Sequence, residues 1–107
     1  MRNPLEIENI EEMRRRQGID DVELHEGIRG LAIGDFVKLT FLAAGGGSLT
    51  GETLFVRITS IRGGAFRGKL ADRPASRGLS KLRVGWPVAF TAAHIHSIPR
   101  GERTHEK

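Results

Sequence analysis

Leu31-Ala32-Ile33-Gly34-Asp35-Phe36-Val37-Lys38-Leu39-Thr40 is answered further along the chain by Leu82-Arg83-Val84-Gly85-Trp86-Pro87-Val88-Ala89-Phe90-Thr91. The shared pattern is Leu-x-(Ile or Val)-Gly-x-x-Val-x-(Leu or Phe)-Thr. Glycine falls where a turn needs it, and apolar residues then recur at period two, the signature of a strand with one buried face. The segments between the two copies do not match, so the echo reads as one local geometry used twice and not as a tandem repeat.

Alternation spreads outward from this stretch. In Phe36 to Phe41, Val37, Leu39 and Phe41 share one face and Lys38 and Thr40 the other. Leu54, Val56 and Ile58 repeat the scheme, with Phe55 and Arg57 outward. Arg62-Gly63-Gly64-Ala65 predicts a tight hairpin turn, after which Phe66, Gly68 and Leu70 face in and Arg67 and Lys69 face out. Short strands follow around Val88 and Phe90 and around Ile95 and Ile98. About five short strands punctuated by turns predict a mainly β fold, a small SH3-like antiparallel β-barrel. The glycine-rich run Ala43-Ala44-Gly45-Gly46-Gly47-Ser48 reads as a flexible hairpin loop; it lacks the Gly-Lys-Ser/Thr ending of a phosphate-binding loop.

Ahead of the barrel the period is helical. Asn3-Pro4-Leu5-Glu6 reads as a helix start, with a helix running to about Gln17 and Gly18 as its stop. Glu6, Glu8, Glu11 and Glu12 lead and Arg14, Arg15 and Arg16 trail, the order that suits the helix dipole. The thin apolar stripe Leu5, Ile7, Ile10 and Met13 needs the barrel or a partner to cover it. A short helical or irregular segment spans Asp20 to Ile28. The expected organisation is an N-terminal helical leader over 1–30, the barrel over 31–98 and a flexible C-terminal tail over 99–107.

A length of 107 residues allows one hydrophobic core. Cysteine is absent, which removes disulfides and thiolate metal sites; a cytoplasmic address is the expectation. No window has the apolar length of a signal-peptide core or a membrane span, so no membrane partner is expected. The net charge of +4 conceals a division. Residues 1–52 carry six basic and ten acidic side chains, and residues 53–107 carry eleven basic and three acidic. A basic half attracts a polyanion, and an acidic half lies against it or meets a second copy.

The outward Phe55 and Arg57 of one strand and Arg67 and Lys69 of its hairpin partner, with Arg62 at the turn, form the candidate binding face. Phosphates meet cations and bases stack on rings in single-stranded nucleic-acid sites, and the same cations suit an acidic protein. Arg73, Arg77, Lys81 and Arg83 in the flanking loop are placed to widen it. Outward cations also serve simply to keep a sheet edge soluble, and a helix packed over Phe55 removes the platform. His94-Ile95-His96 puts two imidazoles on one side of a strand, but a third ligand has no source in the sequence, so no metal is assigned. Trp86 is read as a plug at the barrel end. No activated nucleophile is visible: there is no Cys or Tyr, no serine stands in a Gly-x-Ser-x-Gly setting, and Asp35 and Asp72 sit in turn sequences. No catalytic residue and no cofactor are assigned.

Gly34-Asp35-Phe36-Val37-Lys38-Leu39, Gly51-Glu52-Thr53-Leu54-Phe55-Val56-Arg57-Ile58, Phe66-Arg67-Gly68-Lys69-Leu70 and the stretch from Val84 through His94-Ile95 resemble a small bacterial domain family of unknown function, the YegJ-like family. The resemblance spans about residues 34–98. Such domains often have Met-Trp where this chain has Leu54-Phe55, and Gly-Asp where it has Gly85-Trp86. It implies a small β domain of bacterial type and brings no activity or catalytic residue. The sequence reading is therefore a non-enzymatic binding module whose basic barrel face engages an acidic protein or a nucleic acid. The alternative is a protein-interaction or self-association domain that uses the acidic N-terminal helix, in the second case with the helix of one copy meeting the basic face of another.

Overall fold

The computed structural model describes residues 5–19, 21–45, 48–75, 79 and 81–99. Six strands form one antiparallel sheet: β1 (Leu5–Ile7), β2 (Phe36–Gly45), β3 (Ser48–Arg62), β4 (Ala65–Leu70), β5 (Pro87–Thr91) and β6 (Ile95–Ser97). Helices α1 (Ile10–Arg16) and α2 (Val22–Arg29) lie between β1 and β2, and a 3-10 turn, Ala92–His94, joins β5 to β6. Hydrogen-bonded neighbours run β1-β2-β3-β4-β5, and β6 returns to pair with β2. That return makes β2 to β6 a nearly closed five-strand barrel of the SH3-like kind, with β1 added beside β6 along the same edge of β2.

The alternation expected from sequence holds through the barrel. Val37, Leu39, Phe41, Leu54, Val56, Ile58, Phe66, Leu70, Val88, Phe90 and Ile95 form a single buried cluster with Leu79 and Leu82. Phe66 and Phe90, register partners on β4 and β5, stack with ring centroids 5.3 Å apart. Burial of each such side chain contributes roughly 1.5–3 kcal/mol.

The two echoed stretches adopt the same geometry. Asp35 N–H donates to the Ala32 carbonyl at 3.0 Å and Trp86 N–H to the Arg83 carbonyl at 2.9 Å, with Gly34 at φ +99° and Gly85 at φ +94°. Each is a turn of the type II pattern, with glycine at the third position. Each then bonds a neighbouring strand identically. Gly34 N–H donates to the Ile58 carbonyl while Ile58 N–H donates to Asp35, and Gly85 N–H donates to Leu70 while Leu70 N–H donates to Trp86. Two residues facing one, with a positive-φ glycine first, is a G1 β-bulge. The turns leave Ile33 64% and Val84 60% exposed at corresponding positions.

Two expectations are corrected. The first helix does not start at Leu5: Leu5–Ile7 is a strand paired with β2, and α1 begins at Ile10, where the Asn9 side chain accepts the Glu12 N–H at 2.9 Å. Asn9 at the cap with Glu12 three residues on is a stronger start signal than Asn3-Pro4, because Glu6 and Glu8 alternate with Leu5 and Ile7 at strand period. Gly18 does end the helix, at φ +73°, with Gly18 N–H to Arg15 and Ile19 N–H to Arg14 closing a Schellman motif. The glycine-rich run is not a six-residue loop, since β2 continues to Gly45 and β3 starts at Ser48 as its register partner. Asn3 and Pro4, Gly46 and Gly47, and the tail 100–107 lie outside the described residues. At the β3–β4 hairpin only Gly63, at φ +59°, takes a positive φ; Gly64 does not, the arrangement of a II′ turn.

The helices pack at one end of the barrel. Ile10 is 1% exposed, and Ile7, Leu24 and Ile28 join the central cluster. Arg14 ties the parts together: its Nη1 lies 3.1 Å from Asp21 Oδ2, and its Nη2 donates to the His96 carbonyl at 3.3 Å. Asp21 in turn caps α2 by accepting the Leu24 N–H.

Candidate nucleic-acid interface

The outer face of β2, β3 and β4 is set by register. Phe36 pairs with Arg57, Arg57 with Lys69, and Lys69 with Pro87, making one row across four strands. The next row opposes Lys38 to Phe55. Beyond Ile58 an extra residue, Thr59, shifts the ladder so that Arg67 opposes Ser60, and Thr59 Oγ1 donates to the Arg67 carbonyl at 3.3 Å. A bulge bends and twists its strand, which re-aims the side chains beyond it. Gly68, opposite Ile58, admits this close approach: a Cβ there meets the Arg57 carbonyl oxygen at 2.5 Å.

Four of the five residues singled out from sequence are exposed: Arg57, Arg62, Arg67 and Lys69. Arg62 stands at the hairpin tip opposite Ala65, removed along β3 from the Arg57–Lys69 pair. Phe55 is half-buried, and its neighbours are on the sheet surface: the Phe36 ring, centroids 6.4 Å apart and tilted by 55°, and Lys38 Nζ, 5.0 Å from the ring centroid. Helix α1 packs instead on the 3-10 turn and β6.

Phe36 and Lys38 are the residues that the sequence reading missed. Both lie on the outward face of β2, and only the β2–β3 register reveals that they complete the Phe55–Arg57 patch. Of the loop cations, Arg73 and Arg83 meet around a shallow cleft with Pro74, Leu82 and Val84, Lys81 is exposed, and Arg77 lies outside the described residues.

Like charges set directly opposite on a sheet repel by a few tenths of a kcal/mol to about 1 kcal/mol. Among the described residues, no ion pair relieves Arg57, Arg67 or Lys69; the two pairs present are Arg14–Asp21 and Arg15–Glu11. The carboxylates nearest in sequence are turned to backbone groups. Asp72 Oδ2 accepts the Phe55 N–H at 3.4 Å, and both Glu52 oxygens accept the Ala75 N–H at 2.9 and 3.0 Å.

The histidine pair does not share a strand face. His94 belongs to the 3-10 turn, where its Nδ1 accepts the Thr91 N–H at 3.0 Å. His96 is the unpaired residue of a β2–β6 register shift, because Lys38 pairs with Ser97 and Leu39 with Ile95. The turn and the bulge break the alternation on which the pairing rested. Burial lowers the pKa of both imidazoles; for His96 the Arg14 and Lys38 charges add to this and Glu8 opposes it. Among the described residues no three His, Asp or Glu side chains converge as metal ligands. Trp86 is 39% exposed, more than a plug requires, and lines a cleft between β1 and β5 with Ile7, Phe41, Leu82 and Val88. No helix among the described residues is long and apolar enough to cross a membrane.

No family model, no curated protein and no solved structure matches the chain.

Proposed function

We propose that this chain is a non-enzymatic binding module that engages a nucleic acid through the outer face of β2, β3 and β4. The observation that carries the reading is the Arg57–Lys69 cross-strand pair: two cations held opposite one another, with no ion pair to a described carboxylate, beside two phenylalanine rings. A polyanion relieves the repulsion and releases its own counterions on binding. The resemblance of residues 34–98 to the YegJ-like family is compatible with this role and assigns no activity.

The test is the triple substitution Arg57→Glu, Arg67→Glu, Lys69→Glu. All three side chains are exposed, so the fold is retained, and binding to short oligonucleotides and to inorganic polyphosphate is lost together. Unchanged binding overturns the reading. The self-association alternative gives another pattern, a concentration-dependent mass reduced by charge reversal of the exposed Glu11 and Glu12. Deleting residues 1–30 does not discriminate, because Ile7, Leu24 and Ile28 pack into the barrel core.

A further inference from the structure

Resting on that reading, we infer that the ligand is a single strand whose bases stack on Phe36 and Phe55 while its phosphates lie over Arg57, Lys69 and Lys38. Ring and cation alternate across the β2–β3 ladder: Phe36 opposes Arg57 in one row, and Lys38 opposes Phe55 in the next. A nucleic-acid strand alternates in the same sense, one flat base and one negative charge per nucleotide. Two half-buried rings lie among these cations on the outer face of the barrel. For a nucleic acid they are the stacking platform that every base fits.

The geometry specifies how the rings are used. At 6.4 Å and a 55° tilt, Phe36 and Phe55 do not form the parallel jaws that clamp one base between them, so each takes its own base. Lys38 Nζ stands 5.0 Å from the Phe55 centroid, which shows that this ring face is open to a side chain. A base stacking there displaces a flexible ammonium toward the adjacent phosphate, exchanging one attraction for another. Duplex bases are already stacked inside the helix and reach neither ring, so a duplex meets the cations alone.

The charged groups bordering the rings are Lys38, Arg57 and Lys69, with Asp72 bonded to the Phe55 backbone. The rings therefore supply strand selectivity and the cations supply general attraction. Phe36 is as necessary as Phe55.

The experiment compares full-length wild-type protein with Phe36→Ala and Phe55→Ala, using a fluorescent oligothymidylate, the same length of duplex, and inorganic polyphosphate as probes. Each alanine variant is expected to weaken oligothymidylate binding by about 5-fold to 150-fold, the range of one lost base stack, while polyphosphate affinity changes by less than about 2-fold. Duplex is bound more weakly than the single strand by wild type and loses nothing further in the variants. Because both rings are half-buried, Phe36→Leu and Phe55→Leu, which keep apolar volume and remove the aromatic face, are run beside them with thermal melts. Folded leucine variants that bind the single strand as wild type does overturn the inference and leave the charged face intact. Loss of polyphosphate and oligonucleotide binding alike in those variants also overturns it, since the rings then act only by shaping the surface. A wild-type protein that binds none of the three probes removes the parent reading and this one with it.

Discussion

Replacing Gly34 or Gly85 with alanine tests whether the echoed turns hold the barrel together. Both residues take φ near +95° and both begin a bulge, on Ile58 in one case and on Leu70 in the other. A Cβ at either position meets nothing within 4 Å, so the cost comes from the backbone and not from crowding. Left-handed backbone costs an L-residue about 1–2 kcal/mol, and a φ this large lies beyond the small left-handed well, which places the penalty at the upper end. Alanine recovers about 0.4–1 kcal/mol through the less flexible unfolded chain, leaving a net loss near 1 kcal/mol per site. For a chain of this length each single substitution lowers Tm by about 4–8 °C, and the double substitution by about the sum. Gly64→Ala is the control, at a turn position without positive φ and with open space for the Cβ, and it is neutral or slightly stabilising. Thermal unfolding followed by circular dichroism reads all four proteins. A Tm for Gly34→Ala and Gly85→Ala equal to that of Gly64→Ala refutes the assignment of the echo to paired G1 bulges.

Asn9→Ala removes the side-chain acceptor at the α1 N-cap and costs about 0.5–2 kcal/mol in denaturant unfolding, against no loss if the helix began elsewhere. Arg14→Met keeps the aliphatic stem and deletes the contacts to Asp21 and the His96 carbonyl; hydrogen exchange is expected to speed in α1 and α2 together while the β3–β4 ladder keeps its protection. Both His94 and His96 have pKa values below the ordinary 6.5, so the unfolded chain binds protons more readily than the folded one. Their contribution to stability is complete above about pH 6.5 and is lost as pH falls through their folded values, and the double His94→Gln, His96→Gln protein shows a flatter Tm against pH between about 7 and 5.

The barrel was legible because its strands obey period two over a core that excludes water: Val37 to Phe41, Leu54 to Ile58 and Phe66 to Leu70 turn their alternate apolar residues inward as the alternation requires, and the exception in burial is Thr40, which pairs with Thr53 and is buried with its hydroxyl 2.8 Å from that of Thr53. The echo was legible because positive φ restricts the choice of residue, and glycine marks it at both turns. The N-terminal strand was not. Leu5, Glu6 and Ile7 are too few residues to establish a period, and a nearby run of Glu then Arg imposes a helical reading on all of them. The candidate face was half visible. Residues on one strand declare their side by alternation, but which strand's residues they meet is fixed by register, so Phe36 and Lys38 emerged only with the β2–β3 pairing. The extra residue at His96 is equally silent in sequence, since a bulge depends on how the partner strand closes the barrel.

The most direct test of the charged face is the salt dependence of oligothymidylate binding by wild type and by the Arg57→Glu, Arg67→Glu, Lys69→Glu protein. Each phosphate neutralised on a single strand contributes about −0.7 to the slope of log K against log salt, so a face that engages three phosphates through these cations gives a wild-type slope of about −2 or steeper. The account predicts that slope, with affinity collapsing at every salt concentration in the reversed protein. A wild-type slope near zero, or a reversed protein that binds with the wild-type slope and affinity, contradicts it.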